Sequence, residues 1–281
     1  MQRVQRELPK TCEIIAGGDT HIGSIMTHTH GIEAAVDYVA SGKNRFFIHL
    51  GDWIEAIMVN DKRYNQPPEG KKEKENSIPL RQARAAVQMF KPISKKIIVG
   101  LWGNHERLLT NYGNLVEDII CKELNIPYGT EVCRIIFTNK DKPFFNIFAM
   151  HGRKLFNSAA KDFEQRQANM KASMKLYLQE QEGDCSIMLC GHGHKILIVN
   201  PSARLILEDD INGQQQRYLK GITHAGYIQP DQRYYAMCGS ARKSREDGFD
   251  DYAQTYPAAD LGFVRIVVED GQIIGLYPFL I

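Results

Sequence analysis

A chain of 281 residues is long enough for one large domain, or for a core carrying an insertion, and for a sizeable buried interior. Its composition is that of an ordinary globular protein, 43% hydrophobic and 24% charged. With 35 basic against 33 acidic residues the formal charge is only +2, too weak a bias for a surface that tracks a nucleic-acid backbone along its whole face, although a local basic patch stays open.

The N-terminal MQRVQRELPK is charged, and the apolar run behind it, Cys12 to Ala16, is five residues, too short for an export segment. No stretch approaches the ~20 apolar residues of a spanning helix, and nothing points to a membrane surface. Six cysteines (Cys12, Cys121, Cys133, Cys185, Cys190 and Cys238) form no CxxC pair and sit mostly in apolar runs. They read as buried free thiols, which makes the expected location cytoplasmic.

In chain order, CEIIAGG at 12–18 is a short buried strand that stops at a Gly-rich turn. Ile32, Ala35, Val36 and Val39 then fall at helical spacing, and Ser41-Gly42 ends that helix. RFFIHL at 45–50 is a second buried strand, followed at once by Gly51-Asp52. Leu80, Ala83, Val87 and Phe90 mark another helix, and KKIIVG at 95–100 is a third strand leading into LWGNHE. Strand, loop, helix, strand is the grammar of an α/β layer, with polar residues gathered at the carboxyl ends of the strands.

The second half reads differently. Val132–Thr138 and Phe144–Met150, joined by a polar NKDK turn, predict a hairpin. A long helix is expected over about 159–181, with Phe163, Met170, Met174 and Tyr177 on a core-facing stripe. CSIMLC at 185–190 is another buried strand and delivers GHGH. The remainder, roughly 196–208, 216–222, 232–238, 261–268 and 272–279, is short strands and turns. The count fits an α/β sandwich of two mixed β-sheets with helices on its outer faces, four layers in all, in a single domain over 1–281.

Two segments stay open. The polar run at about 60–76, NDKRYNQPPEGKKEKEN, reads either as a solvated loop or as a lid or basic rim near Asp52. The segment at about 239–262, GSARKSREDGFDDYAQTYPAADLG, is either a surface loop or a cap across the mouth of a site.

Five clusters recur, each just past a buried strand: Gly18-Asp19-Thr20-His21, Gly51-Asp52, Gly103-Asn104-His105-Glu106, His151-Gly152, and Gly191-His192-Gly193-His194. Alone each is weak. Together they place carboxylates, an amide and imidazoles at strand ends, where an α/β fold brings distant segments together. Carboxylate oxygens and neutral imidazoles suit Mn²⁺, Fe²⁺ or Zn²⁺, with Mn²⁺ the leading expectation, and the lack of thiolates argues against structural zinc. Asp19 and His21, two apart, can be aimed at one ion by a turn, while His192 and His194 can reach different ions across a bend at Gly193. His28 and His30 read as a polar loop, a phosphate contact or a third metal site. His49, inside an apolar strand, reads as a core histidine, and Trp53 as core packing or a base-stacking surface. His224 reads as structural or solvent-exposed. Arg153 and Lys154 stand where a phosphate contact is conceivable.

The ordered set DxH, GD, GNHE, H, GHxH resembles the calcineurin-like metallophosphoesterase family, in its phosphodiesterase and nuclease-type branch. The likeness runs from Asp19 to His194, and the strand-rich tail to Ile281 fits that family's second sheet. The resemblance implies one divalent ion held by Asp19, His21, Asp52 and His194. It implies a second held by Asp52, Asn104, His151 and His192, with Asp52 bridging. It also implies a metal-activated hydroxide as nucleophile, with His105 on the leaving oxygen and Glu106 orienting it.

The second motif reads GDWIEAI, not the GDYVDRG of the serine/threonine protein phosphatases, and Leu101-Trp102 precedes GNHE where those enzymes carry arginine. The expected activity is therefore a phosphodiesterase on nucleotide or nucleic-acid substrates. The alternatives are a phosphomonoesterase or pyrophosphohydrolase on a small metabolite, and a non-catalytic scaffold in a protein assembly.

Overall fold

The computed structural model describes all residues except 59, 60, 62, 64–77, 212, 220–222, 225, 249 and 250. The insertion at 60–76 therefore lies, apart from Asp61 and Arg63, outside the described residues. In chain order the strands are β1 (Gln2–Glu7), β2 (Cys12–Gly17), β3 (Arg45–His49), β4 (Ile97–Gly100), β5 (Val132–Asn139), β6 (Lys142–Met150), β7 (Ile187–Cys190) and β8 (Leu197–Val199). They continue with β9 (Arg204–Asp210), β10 (Gly213–Leu219), β11 (Thr223–His224), β12 (Tyr227–Ile228), β13 (Tyr234–Met237), β14 (Gly262–Glu269) and β15 (Gln272–Leu280). The main helices are α1 (Thr29–Ser41), α2 (Ile78–Phe90) and, after two short turns α3 (Asn104–Arg107) and α4 (Lys122–Leu124), α5 (Phe163–Gln179).

Two mixed sheets face each other. One has five strands in the order β15-β14-β2-β3-β4, the other six in the order β1-β5-β6-β7-β13-β8. Side chains alternate across each strand, so both faces of the central strands need cover. On β6, Ile147 and Ala149 point between the sheets with Ile14, Ile48, Leu189 and Val264. Their neighbours Phe148 and Met150 point outward, onto Met170, Met174 and Leu178 of α5. On β2 the odd residue Ile15 faces the other outer layer, where Ile32, Ala35, Val36 and Val39 of α1 pack with Phe47, Phe90 and Phe263. The layers are thus α1/α2, five-stranded sheet, six-stranded sheet and α5. Burial on both faces is why these strands are continuous apolar runs. All six cysteines are free and buried. Burial pushes the thiols of Cys12, Cys121, Cys133 and Cys185 up to about 12, which keeps them protonated.

Two expectations change, and one strand, β1, is added. The tail divides between the sheets: β14 pairs antiparallel with β2 in the five-stranded sheet, whereas β13 pairs parallel with β7 in the other. β1 is an edge strand parallel to β5. Phe163, expected on the core stripe of α5, opens that helix and is 67% exposed. No described helix is long and apolar enough to cross a membrane.

The topology collects chain reversals at one edge. β2, β3 and β4 run parallel, so the loops after Gly17, His49 and Gly100 emerge together. β6, β7 and β13 are also mutually parallel and deliver His151, Gly191 and Cys238 on their own side. His151 Nδ1 lies 2.8 Å from the Leu50 carbonyl, which joins the two sets of loops.

Candidate metal centre

The loop after β2 keeps pairing with the loop after β3 beyond the sheet. The Asp19 N–H donates to Gly51 O at 2.9 Å, Thr20 and His21 donate to Asp52 O at 2.9 and 3.1 Å, and Ile22 donates to Trp53 O at 2.9 Å. This locks Asp19 and His21 beside Asp52. Asp19, His21, Asp52, His192 and His194 all adopt left-handed backbone, with φ of 51°, 46°, 51°, 69° and 51°. That is five of the seven expected ligands in a region L-residues seldom occupy, at roughly 1–3 kcal/mol each. Such concentrated strain persists only where the surroundings impose it.

Among the described residues the side chains form three convergent groups: Asp19 with His21 and His194, Asp52 with His151 and His192, and His21 with Glu55 and His105. In the first, Asp19 Oδ1 lies 3.3 Å from His194 Nε2, and the Nε2 atoms of His21 and His194 are 3.3 Å apart. In the second, Asn104 Oδ1 lies 2.9 Å from His151 Nε2 and 2.7 Å from His192 Nδ1. Asp52 Oδ2 is 3.4 Å from His151 Nε2 and 3.9 Å from His21 Nε2, so it faces the first two groups. Its Oδ1 accepts from the His105 N–H at 2.9 Å, and Asp19 Oδ2 accepts from the His192 N–H at 2.9 Å.

The donor set fits divalent ions. Because His151 Nδ1 donates to Leu50 O, its neutral form aims the Nε2 lone pair at two oxygen acceptors. Facing lone pairs repel unless a proton or a cation stands between them. Asp19 Oδ1 is buried with no hydrogen-bond partner, an arrangement that is costly without a cation.

The electrostatics differ among the ligands. Burial holds His21 and His192 below the ordinary histidine value, which favours the neutral, metal-binding form. Burial also opposes charge on His151, but the Asp52 and Asp19 carboxylates outweigh it and push His151 up to about 10. Asp52 is driven well below the usual carboxylate range despite its burial, chiefly by His151 and His105.

His105 and Glu106 sit beside these groups. His105 Nδ1 is 2.5 Å from the Glu55 carbonyl, and its ring meets that of His21 edge-on at 4.5 Å. Burial works against its protonation, yet Asp52 and Glu55 hold it above the ordinary value. The Glu106 oxygens accept from the Ile54 and Gly103 N–H groups, each at 3.0 Å. The carboxylate expected to orient His105 therefore braces the loop backbone, and the residue that faces His105 Nδ1 is Glu55. Burial, reinforced by Asp52, pushes Glu106 up to about 7.

Glu55 was not among the expected site residues. Its Oε2 lies 2.8 Å from His21 Nδ1 and 4.0 Å from His105 Nδ1. A carboxylate behind a ligating imidazole fixes its tautomer and aim. The available signal was an acidic residue three positions after Asp52, inside the apolar stretch Trp53–Ile57.

The other residues singled out from sequence lie as follows. His49 is buried, stacked on Trp53 with ring centroids 3.4 Å apart, and Trp53 donates to the Leu101 carbonyl at 2.9 Å. Both belong to the core beneath the site. His30 is exposed and 3.1 Å from Glu33, and His28 precedes α1; neither joins a described metal-ligating group. Arg153 grips Glu131 through two hydrogen bonds of 2.7 and 2.8 Å, and Lys154 lies over the Phe156 and Tyr177 rings. The 239–262 segment reaches the site loops, with Ser240 Oγ donating to Asp19 O at 2.8 Å and Asp260 N to His194 O at 2.9 Å.

The sequence matches the profile of the calcineurin-like phosphoesterase family over residues 13–212. No curated protein matches the chain by sequence. Similar solved structures include a conserved uncharacterised protein, a predicted phosphoesterase, from Streptococcus pneumoniae TIGR4, at 16% identity and TM-score 0.32 over 96% of this chain and 95% of that one. The Haemophilus influenzae NAD nucleotidase is similar at 12% identity and TM-score 0.44, over 96% of this chain but only 50% of its own. The calcineurin-like phosphoesterase YfkN from Bacillus subtilis aligns at 11% identity and TM-score 0.39, over 95% of this chain and 89% of that one.

Proposed function

The chain belongs to the calcineurin-like phosphoesterase family, and from that premise we propose that it is a two-metal phosphodiesterase acting on nucleotide-type substrates. The observation that carries the reading is the pair of convergent ligand groups with Asp52 facing both. Asp19, His21 and His194 would hold one ion, and Asn104, His151 and His192 the other, with Asp52 between them. When bound, two such ions supply Lewis acidity at phosphorus and make hydroxide available near neutral pH.

His105 serves the leaving group. Its Nδ1 is engaged by the Glu55 carbonyl, which leaves Nε2 as the ring nitrogen that meets substrate. The neighbouring carboxylates favour the protonated ring, so Nε2 can donate a proton as the ester P–O bond breaks. An alkoxide leaving group needs that proton in a diester and a monoester alike, so the diester reading rests on the motif set, GDWIEAI and GHGH, that departs from the protein phosphatases. Asp52 Oδ1 fixes the His105 backbone, and Glu106 fixes the two loops that flank it.

The test is a comparison of specificity constants for a synthetic diester, the matching monoester, a cyclic nucleotide, a dinucleoside polyphosphate and single-stranded DNA, each with Mn²⁺. The diester is expected to lead. A monoester favoured tenfold or more, about 1.4 kcal/mol in transition-state stabilisation, would replace this reading with a small-metabolite phosphatase.

A further inference from the structure

We infer that Arg242 is a positioning residue for this centre, its buried guanidinium holding the Glu55 carboxylate in place behind His21 and His105. Arg242 is 3% exposed, too deep to meet substrate, so any part it plays is exerted through a neighbour. A buried cation needs compensating carboxylates. Arg242 has two, Asp251 Oδ1 at 2.6 Å from its Nη2 and Glu55 Oε1 at 3.7 Å from its Nε.

The Arg242 Nε atom is buried without a hydrogen-bond partner, while Glu55 Oε2 and His21 Nδ1 meet each other at 2.8 Å. Arg242, Glu55 and His21 thus lie along one buried line of contact. Glu55 is divided between two tasks. Its Oε1 faces Arg242 and accepts from the Tyr252 hydroxyl at 3.4 Å, while Oε2 faces His21 at 2.8 Å. The Tyr252 ring covers the guanidinium at 4.7 Å, which closes that side. The backbone of Arg242 is itself tied to the metal loops. Its N–H donates to Ser240 Oγ at 2.9 Å, and that hydroxyl donates to the Asp19 carbonyl.

Removal of the guanidinium leaves Oε1 without its cation in a desolvated site. The Glu55 and Asp251 carboxylates that shared the guanidinium then repel one another, and His21 loses the fixed orientation of the group behind it. The 239–262 segment thereby sets the aim of an imidazole more than two hundred residues earlier in the chain. Lysine can reach only one of the two carboxylates, so it should restore only part of the effect.

The inference rests on the proposed metal centre, and a double-mutant cycle separates the two. Wild type, R242M, E55Q and R242M/E55Q are titrated with Mn²⁺ by calorimetry and assayed on a synthetic diester at saturating Mn²⁺. R242M is expected to weaken one of the two ions by about 10–100-fold and to lower kcat by about the same factor, with KM nearly unchanged. The double variant should be no worse than E55Q alone, and R242K should recover part of the loss. Additive losses in the double variant, wild-type metal affinity in R242M, or a change confined to KM would overturn the inference. If R242M does not fold, the cycle with R242K, which keeps charge and bulk, decides by the same additivity criterion. An inactive wild type would count against the proposed function, while the metal titrations would still decide the role of Arg242.

Discussion

Replacing Gly103 by alanine should dismantle the metal centre by adding one methyl group, with no change of backbone conformation required. Gly103 has φ −101° and ψ −178°, extended values that alanine adopts freely. A methyl carbon built there would lie 2.0 Å from Asp52 Oδ1 and 2.2 Å from the Asp52 backbone nitrogen. Non-bonded contacts of this kind settle near ~3.2–3.5 Å, so the two loops must part by about 1 Å. Asp52 has little room to retreat, since its carbonyl accepts from Thr20 and His21 and its Oδ1 from His105. Overpacking of this kind costs about 1–3 kcal/mol of stability. The functional loss is greater, because a shift of ~1 Å in a reacting group lowers turnover on the order of 100-fold. Urea denaturation, Mn²⁺ titration and steady-state assay of G103A measure the three effects together. A folded G103A with wild-type metal affinity and turnover would refute the steric reasoning and the placement of Asp52.

Replacing His105 by alanine should leave Mn²⁺ content near wild type and lower kcat by roughly 10²–10⁴-fold; metal analysis beside the assay checks both, and loss of both ions would contradict the role on the leaving group. Apparent metal affinity should fall by up to about tenfold per pH unit on acidification between pH 9 and 7, because His151 must shed its proton to bind. The sign follows from its value of about 10 in the fold against 6.5 unperturbed. In the apo-protein the same shift stabilises fully below 6.5 and is lost as pH rises through about 10, so titration and denaturation run at several pH values should show opposite trends. Glu106→Gln keeps one oxygen acceptor for two buried amides and should cost about 1–3 kcal/mol in denaturation; unchanged stability would show that the second amide finds another partner.

Much of the fold was legible because strands buried on both faces write themselves as unbroken apolar runs. CEIIAG, RFFIH and IMLC each end where a polar cluster begins, and those clusters meet at one edge. What was illegible depended on pairing across long sequence separations. β1 is largely exposed and held by backbone pairing to β5, so it shows little apolar pattern. No local period records that β14 will lie against β2. Phe163 sits at the helix N-terminus, beyond the reach of the sheet that α5 covers. At the site the expected ligands converge, while His105 Nδ1 meets the Glu55 backbone carbonyl, with the Glu55 carboxylate 4.0 Å away. That contact turns on a loop folding back, since the Glu106 oxygens are drawn to two backbone amides instead. Arg242 and Tyr252 were harder still: Tyr252 and Glu55 are 197 positions apart, and only the closed sandwich brings them together.

The central claim is a pair of ions sharing Asp52, and the most direct test is the number of Mn²⁺ ions held per chain, measured on wild type, Asp19→Asn and Asp52→Asn. Wild type should hold two ions, Asp19→Asn should retain one strongly, and Asp52→Asn should weaken both. A single ion in wild type at saturation, or loss of the same one ion in both variants, would contradict the claim.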